Sequence, residues 1–481
     1  MRSLLTGKST LDSLGNSTQG LQRVHSNLKA REYQLEGIGK LRKNFAKGKK
    51  RQILCMPTGS GKTFTACCMI DQSVKKNKRV DIVVHRIEIM YQFHSALKSF
   101  GIDAKILHGP YRDCGQVNLS MVETYYRRYP EGRDIDVLFI DEVHFGSFGK
   151  ILKSTTIPVI GLTATPVCSK EDIVLNEIFD DIVVPIKVSE LIAEGSLLPA
   201  RTFSEDYDFS KLRTKMGDFD VKQMANEFEK PHLKGGALKN YRKLADGRKT
   251  ICFNVNVSHS LSQRSDFSEH YQSIHIDNST GKEQRREMFK SFGESQGGVM
   301  HNVGIATTGT DIPSVGCIIE NRATQSLALH HQMIGRGARI YPGMDHFIII
   351  DQGCNWKRHG LYGEDVNWKA IFDNPKRDQN KEETQELRSC KECGAVVPLG
   401  EKCKYCGAIL SVPPSSIVLE QEEEGEIMNA KEIKARRLKT LPANLRGRVP
   451  SEMTFSELIQ YGQHLGYSDK WARIYNSKRR N

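Results

Sequence analysis

Short apolar runs alternate along the chain with stretches of helical spacing. RQILCMP (51–57), VDIVVH (80–85), IDVLFID (135–141) and TIPVIGL (156–162) are brief, rich in β-branched residues and bounded by turn residues, which predicts buried strands. Between them, 62–76 and 87–100 carry apolar residues at helical spacing. The alternation then repeats. KTICFNV (249–255), YQSIHID (271–277), GGVMHNVGIA (297–306), VGCIIEN (315–321) and HFIIIDQG (346–353) predict a second set of strands, with helices near 282–292 and 326–338. Strand–helix alternation of this kind predicts parallel sheets covered by helices on both faces, so the expected class is α/β with two tandem domains.

Polarity sets the expected boundaries. Residues 1–25 form a polar, flexible lead-in, 26–200 the first lobe and 248–375 the second; the mixed segment 201–247 reads as a packed connector or small insertion. The charged run 376–389 closes the second lobe, and a cysteine-containing segment follows at 388–411. Residues 412–430, with two adjacent prolines and five glutamates, read as an acidic linker, and 431–481 form a short basic helical tail. That tail carries twelve Lys and Arg against four Asp and Glu, with interleaved aromatics. It fits either nucleic acid or a partner surface, or simply packs its aromatics and solvates its charges.

Composition narrows the class further. Hydrophobic residues make up 38% of the chain, enough for real cores, which excludes wholesale disorder. Neither a membrane-spanning run nor the apolar stretch of a secretory signal is visible, so a soluble cytoplasmic protein with no membrane partner is expected. The net charge of +13 makes nucleic acid the first partner to test. Twelve cysteines in a reducing compartment do not form a disulfide framework. Cys55, Cys67, Cys68, Cys252 and Cys317 lie in apolar stretches as small core residues.

Two segments carry phosphate chemistry. MPTGSGKT (56–63) follows a predicted strand and opens a predicted helix, where backbone N–H groups of Thr58, Gly59, Ser60 and Gly61 converge on an anion. Lys62 would neutralise the β- and γ-phosphates of ATP and Thr63 would hold Mg²⁺. The alternative is an ordinary Gly-rich turn, and Met56 stands where the strict pattern has glycine. IDVLFIDEVH (135–144) lowers that alternative's weight: its apolar residues deliver Asp141 and Glu142 to the sheet edge where ligands of open α/β sheets bind. There Asp141 reaches Mg²⁺ and Glu142 activates water.

A third segment carries metal chemistry. Cys390 and Cys393, then Cys403 and Cys406, form two Cys-x₂-Cys pairs, each pair followed by glycine. Four thiolates so spaced predict a closed structural Zn²⁺ ribbon, with an iron–sulfur cluster or free thiols as minor alternatives.

With these sites in place, 28–360 resembles a superfamily two helicase, which implies two RecA-like lobes sharing an ATP cleft. LKAREYQLEGI (28–38) is similar to the adenine-reading segment, implying nucleotide contacts for Arg31 and Gln34. HRIEI (85–89) resembles motif Ia, implying that Arg86 touches a nucleic-acid backbone. SMVETYYRR (120–128) is a loose match to motif Ib, while DEVH (141–144) and GLTATP (161–166) resemble motifs II and III. GIATTGTDIPSVGCII (304–319) resembles motif V, implying nucleic-acid contacts for Thr307 and Thr308 and nucleotide contacts for Gly309 and Asp311. HQMIGRGAR (331–339) resembles motif VI. There Gln332, Arg336 and Arg339, spaced four and three apart, are expected on one helix face, from which arginines stabilise the transferring phosphoryl.

LIAEGSLLPA (191–200), NRATQS (321–326), DQGCNWKRHG (351–360) and the trailing cysteine ribbon are similar to the group of bacterial RadD, phage helicases and XPB-like repair helicases. The resemblance implies an ATP-dependent DNA helicase or translocase in recombination, repair or phage replication, in a bacterial or phage-infected cell. Its implied partners are single-stranded, forked or branched DNA, with recombination or single-strand-binding proteins, acting on a monomer. A DNA-stimulated ATPase that unwinds little, or an RNA helicase, are the alternatives.

Overall fold

The structure is a computed structural model. It describes residues 29–107, 114–168, 174–215, 217–305, 312, 314–375 and 386–410, and in the C-terminal region 441–442, 444–446, 448–465, 472 and 476–477. The lead-in 1–25 and the acidic linker 412–430 lie outside the described residues.

Lobe one is built on seven strands: β1 (Arg51–Cys55), β2 (Val80–Val84), β3 (Ala104–Leu107), β4 (Val117–Met121), β5 (Val137–Asp141), β6 (Val159–Thr163) and β7 (Asp181–Val183). Their order is β3-β4-β2-β5-β6-β1-β7, and every neighbouring pair is parallel. The mostly apolar runs of β1, β2, β5 and β6 follow from burial on both faces. Strands β3 and β4 escape sequence reading because polar residues interrupt them, and β7 because it is only three residues long. In β4, Asn118 is buried, and its amide donates to Asp81 of β2 at 2.8 Å. Arg133 donates to both oxygens of the same carboxylate at 2.7 and 2.9 Å, so this interior polar group is satisfied.

Lobe two is a six-stranded parallel sheet in the order β12-β13-β11-β14-β15-β8. Its strands are β8 (Ala200–Phe203), β11 (Thr250–Asn254), β12 (Ser273–Ile276), β13 (Val299–Asn302), β14 (Cys317–Asn321) and β15 (Phe347–Asp351), with a small hairpin of β9 (Thr214–Lys215) and β10 (Asp218–Phe219) between β8 and β11. The segment 201–247 differs from the expected connector. It contributes edge strand β8, which pairs with β15, and the helix Gly236–Leu244, whose Ala237 and Tyr241 pack with Cys252, Ile319 and Ile350. Apolar burial binds the segment to lobe two at about 1.5–3 kcal/mol per large side chain.

The lobe-one sheet presents its carboxyl end to the functional segments: the phosphate loop follows β1, Asp141 ends β5 and the TAT turn starts at the last residue of β6. After β15 the chain crosses back, and the helix Trp368–Asp373 buries Trp368 and Phe372 with Ile53, Phe179 and Ile182 of lobe one.

Contact density separates a second compact unit, Leu399–Cys403 with Gly407 onward, from the residues up to Pro398 and Lys404–Cys406. Within it the helix Phe455–His464 starts at a capping box, in which Thr454 and Glu457 exchange hydrogen bonds. Its Leu458 and Tyr461 join Leu441, Leu445, Met453 and Leu465 in a small core of its own. Tyr461 is thus a core residue, whereas Tyr467, Trp471 and Tyr475 lie outside the described residues. No helix among the described residues is long and apolar enough to cross a membrane.

Candidate active site

Strand β1 runs directly into the phosphate loop, and the helix Lys62–Val74 begins where the loop ends. Met56 is fully buried, and its N–H donates to Thr163 O at 3.0 Å, so this position continues the sheet and has no need of glycine. Gly59 and Gly61 are left-handed, with φ of 85° and 86°. A Cβ on Gly61 would also meet Gln34 Nε2 at 2.7 Å. Lys62 Nζ turns back over the loop and donates to Met56 O at 3.2 Å. First-turn N–H groups of a helix lack intrahelical acceptors, so this loop is an anion cradle with its cation in place.

Gln34 is 3% exposed and lies against the same loop. Its Nε2 donates to Ser60 O at 3.3 Å while its Oε1 accepts from Arg31 N at 2.9 Å. Tyr33 OH donates to the same Ser60 carbonyl at 2.8 Å, and Arg31 donates to Tyr33 OH at 3.2 Å. Tyr33 was not singled out in the sequence, since its role depends on a carbonyl 27 residues away.

Asp141 closes β5 and is only 6% exposed. Burial pushes its carboxyl up to about 7, the neighbouring Glu142 charge adds to this, and Lys62 opposes it. A buried carboxyl with this imbalance fits a divalent cation, which supplies the missing positive charge. Glu142 has φ of 49°, a left-handed conformation that costs a non-glycine residue about 1–3 kcal/mol. Its Oε2 is buried without a hydrogen bond and lies 3.4 Å from His144 Nδ1, on a ring whose pKa burial lowers.

His144 joins the two lobes. Its Nδ1 lies 2.8 Å from Thr163 Oγ1, whose hydroxyl donates to Thr165 O at 3.1 Å. Its Nε2 lies 2.8 Å from Gln332 Nε2 of lobe two. Gln332 Nε2 only donates, so one tautomer satisfies the chain: Nδ1–H donates to Thr163 and Nε2 accepts from Gln332. The DEVH and TAT segments were legible as motifs; their bond to a residue 188 positions away was not.

One expectation needs correction. The helix Leu327–Ile334 ends before Arg336 and Arg339, so these arginines occupy the turns beyond it and do not share a helical face with Gln332. Close approach is the reason. A Cβ on Gly337 would meet Phe347 Cδ2 at 2.4 Å, and one on Gly335 would meet Thr58 Cβ at 3.0 Å. The chain here passes between β15 and the phosphate loop. Arg336 is 7% exposed and Arg339 half-buried.

Arg86 stands at the boundary of the lobes. Its guanidinium donates to Gly304 O and Ile305 O of lobe two at 2.9 and 2.7 Å. Glu88 pairs with Arg285 across the same boundary at 3.4 Å. The expected contacts Thr307, Thr308, Gly309 and Asp311 lie outside the described residues.

The cysteine cluster is compatible with a zinc ribbon. The sulfurs of Cys390, Cys393, Cys403 and Cys406 lie within 4.8 Å of one another, and those of Cys390 and Cys406 are 3.7 Å apart. Tetrahedral Zn–S bonds place sulfurs about 3.8 Å apart, so the donor set fits. Each knuckle is closed alike: Gly394 N donates to Cys390 O and Gly407 N to Cys403 O, both at 2.8 Å. Both glycines are left-handed, with φ of 79° and 74°.

Comparison with known proteins agrees with this geometry. The family described as "Type III restriction enzyme, res subunit" matches residues 27–168, and "Helicase conserved C-terminal domain" matches 234–341. The chain is 29% identical over 385 residues to a 51.5 kDa protein of Lactococcus phage (isolate 7-9), covering 79% of this chain and 82% of that one. It is 29% identical over 362 residues to the putative ATP-dependent helicase IRC3 of Saccharomyces cerevisiae, covering 69% of this chain and 52% of the yeast protein. The fold is similar to a fragment of a putative HsdR subunit of a type I restriction enzyme from Vibrio vulnificus YJ016. The TM-score is 0.56 and identity 22%, over 73% of this chain and 68% of the other. On both matched domains together, the chain belongs to superfamily two of the ATP-hydrolysing helicases.

Proposed function

We propose that the chain is a DNA motor that couples ATP hydrolysis between its lobes to unwinding or branch remodelling. The observation that carries this reading is the bond from Gln332 of lobe two to His144, beside Lys62, Asp141 and Glu142 of lobe one. A site assembled from both lobes ties hydrolysis to their relative movement. In this reading the loop from Thr58 to Thr63 holds the phosphates, Gln34 reads adenine, and Arg336 and Arg339 stabilise charge on the γ-phosphoryl. Thr63 and Asp141 would hold Mg²⁺, which would supply positive charge against the phosphates. Glu142 orients water and takes its proton. DNA as the track is supported by the restriction-enzyme family match and the charge of +13, and the phage relative is consistent with action in a phage-infected cell, where recombination, repair or phage replication would be the setting.

The test is a panel of single-stranded, forked and four-way DNA, with matched RNA, in parallel ATPase and strand-displacement assays. Stimulated turnover with displacement of DNA strands is expected, and neither in Lys62→Ala, which loses the cation in the phosphate cradle. Stimulation without displacement would leave an accessory ATPase, and preference for RNA would remove DNA as the track.

The four cysteines would hold Zn²⁺ as a structural ion. Metal analysis of the purified chain should find about one zinc per molecule, and Cys403→Ser should release it. Iron in its place, or no metal, would end the zinc assignment.

A further inference from the structure

The chain crosses between the lobes a second time after β15, and this crossing touches the segment around Gln332. It leaves lobe two at the helix Trp356–His359, where Trp356 N donates to Asp351 Oδ2 at 2.8 Å. It enters lobe one through anchors of several kinds. Asp365 accepts from Ser189 Oγ at 2.8 Å and lies 3.6 Å from Lys187 Nζ. Lys369 Nζ reaches Asp181 of β7 at 3.1 Å, and Asn176 donates to Asp373 O at 3.2 Å. Trp368, 9% exposed, and Phe372 complete the apolar hold. Burial and ion pairs together make this a fixed attachment, not a passing loop.

Two rings on the crossing also touch lobe two. Trp368 meets His331 edge-on, with ring centroids 5.6 Å apart and planes at 71°. Tyr362 meets Phe347 in the same manner at 5.3 Å, and Phe347 is the residue that Gly337 abuts. His331 directly precedes Gln332. Its carbonyl is 2.9 Å from where a Cβ on Gly335 would stand, and Gly335 in turn abuts Thr58. Thr58, His331, Gly335, Tyr362 and Trp368 all line one cavity of about 40 Å³ behind the phosphate loop.

We propose that residues 361–373 are a strap holding the turn of Arg336 and Arg339 in register with the phosphate loop, with Trp368 a positioning residue for ATP hydrolysis that acts through His331. The strap rests on the reading that this turn works at the phosphates. Trp368 is held by lobe one and presses on the helix of lobe two, so it sets how far that helix slides along the loop. Hydrolysis is sensitive to such displacement, because an ångström of misplacement lowers a rate by up to about a hundredfold.

The experiment compares full-length Trp368→Ala, Trp368→Phe, His331→Ala, the Trp368→Ala/His331→Ala pair and Leu152→Ala, reading kcat, KM for ATP and melting temperature. Trp368→Ala should lower kcat about tenfold with KM for ATP little changed, and Trp368→Phe, which keeps an aromatic edge, should recover most of it. Leu152 is buried in the same core of lobe one but lies outside the strap, so Leu152→Ala should lower melting temperature while keeping kcat. The double variant should be no slower than the slower single one. Equal loss of kcat in Trp368→Ala and Leu152→Ala, or additive effects of Trp368→Ala and His331→Ala, would overturn the strap. Arg339→Ala run alongside separates the two levels. If it loses kcat while Trp368→Ala does not, the strap alone fails; if it keeps kcat, the underlying reading fails as well.

Discussion

Glu142→Gln is expected to bind ATP and turn it over about 10²–10⁴-fold more slowly, the range for removing a general base. The substitution keeps size and shape and removes the charge from a side chain whose Oε2 is buried without a hydrogen bond. The left-handed backbone at Glu142 aims this carboxylate away from the line of β5. Asp141, one residue earlier, stays with the sheet edge, so the two carboxyls divide the work: one for the cation, one for water. Removing the Glu142 charge also takes away a cause of the raised Asp141 pKa, so binding of Mg²⁺ and ATP should be kept. The variant should therefore hold ATP in a closed, stable complex, read by nucleotide-binding and single-turnover measurements. Normal turnover would remove Glu142 as the activating residue.

Arg339→Ala is expected to lower kcat by about 10³–10⁵-fold, the span for an arginine that stabilises charge on a transferring phosphoryl group. Affinity for ATP should change far less, because the group acts on the transition state. Arg339→Lys should not restore the rate, since an ammonium lacks the planar donor fork. The turn that carries Arg339 is held in place by Gly335 and Gly337, where any side chain meets Thr58 or Phe347. Gly337→Ala should reproduce part of the loss with both arginines intact. An Arg339→Ala protein with unchanged kcat would exclude this residue from the phosphate chemistry.

Much of this molecule is legible in its sequence. The runs that became β1, β2, β5 and β6 are mostly apolar because both faces are buried, and that pattern survives translation into sequence. Strands β3 and β4 were not, because Lys105, Asn118 and Ser120 break the apolar pattern and Asn118 is satisfied by a partner 37 residues away. The phosphate loop, the paired carboxylates and the cysteine pairs were legible for a different reason. Their chemistry needs particular residue types at short fixed spacing, which a linear chain displays directly.

Arg86 marks where such reading stops. Its place after β2 was evident, but a guanidinium takes whichever acceptors the fold supplies, and here they are carbonyls 218 and 219 residues away. The motif VI arginines were expected on a helix from their spacing alone, which carries no information about Phe347 pressing on Gly337. The sequence by itself determined the α/β class, the tandem repeat of the lobes and the chemical inventory of the site, because these rest on local periodicity and residue type. Tertiary structure alone decided how the inventory is joined: His144 to Gln332, Arg86 to Gly304 and Ile305, Trp368 to His331. Each of these contacts depends on where two distant segments come to rest, and that is set by packing of the whole core rather than by neighbours in the chain.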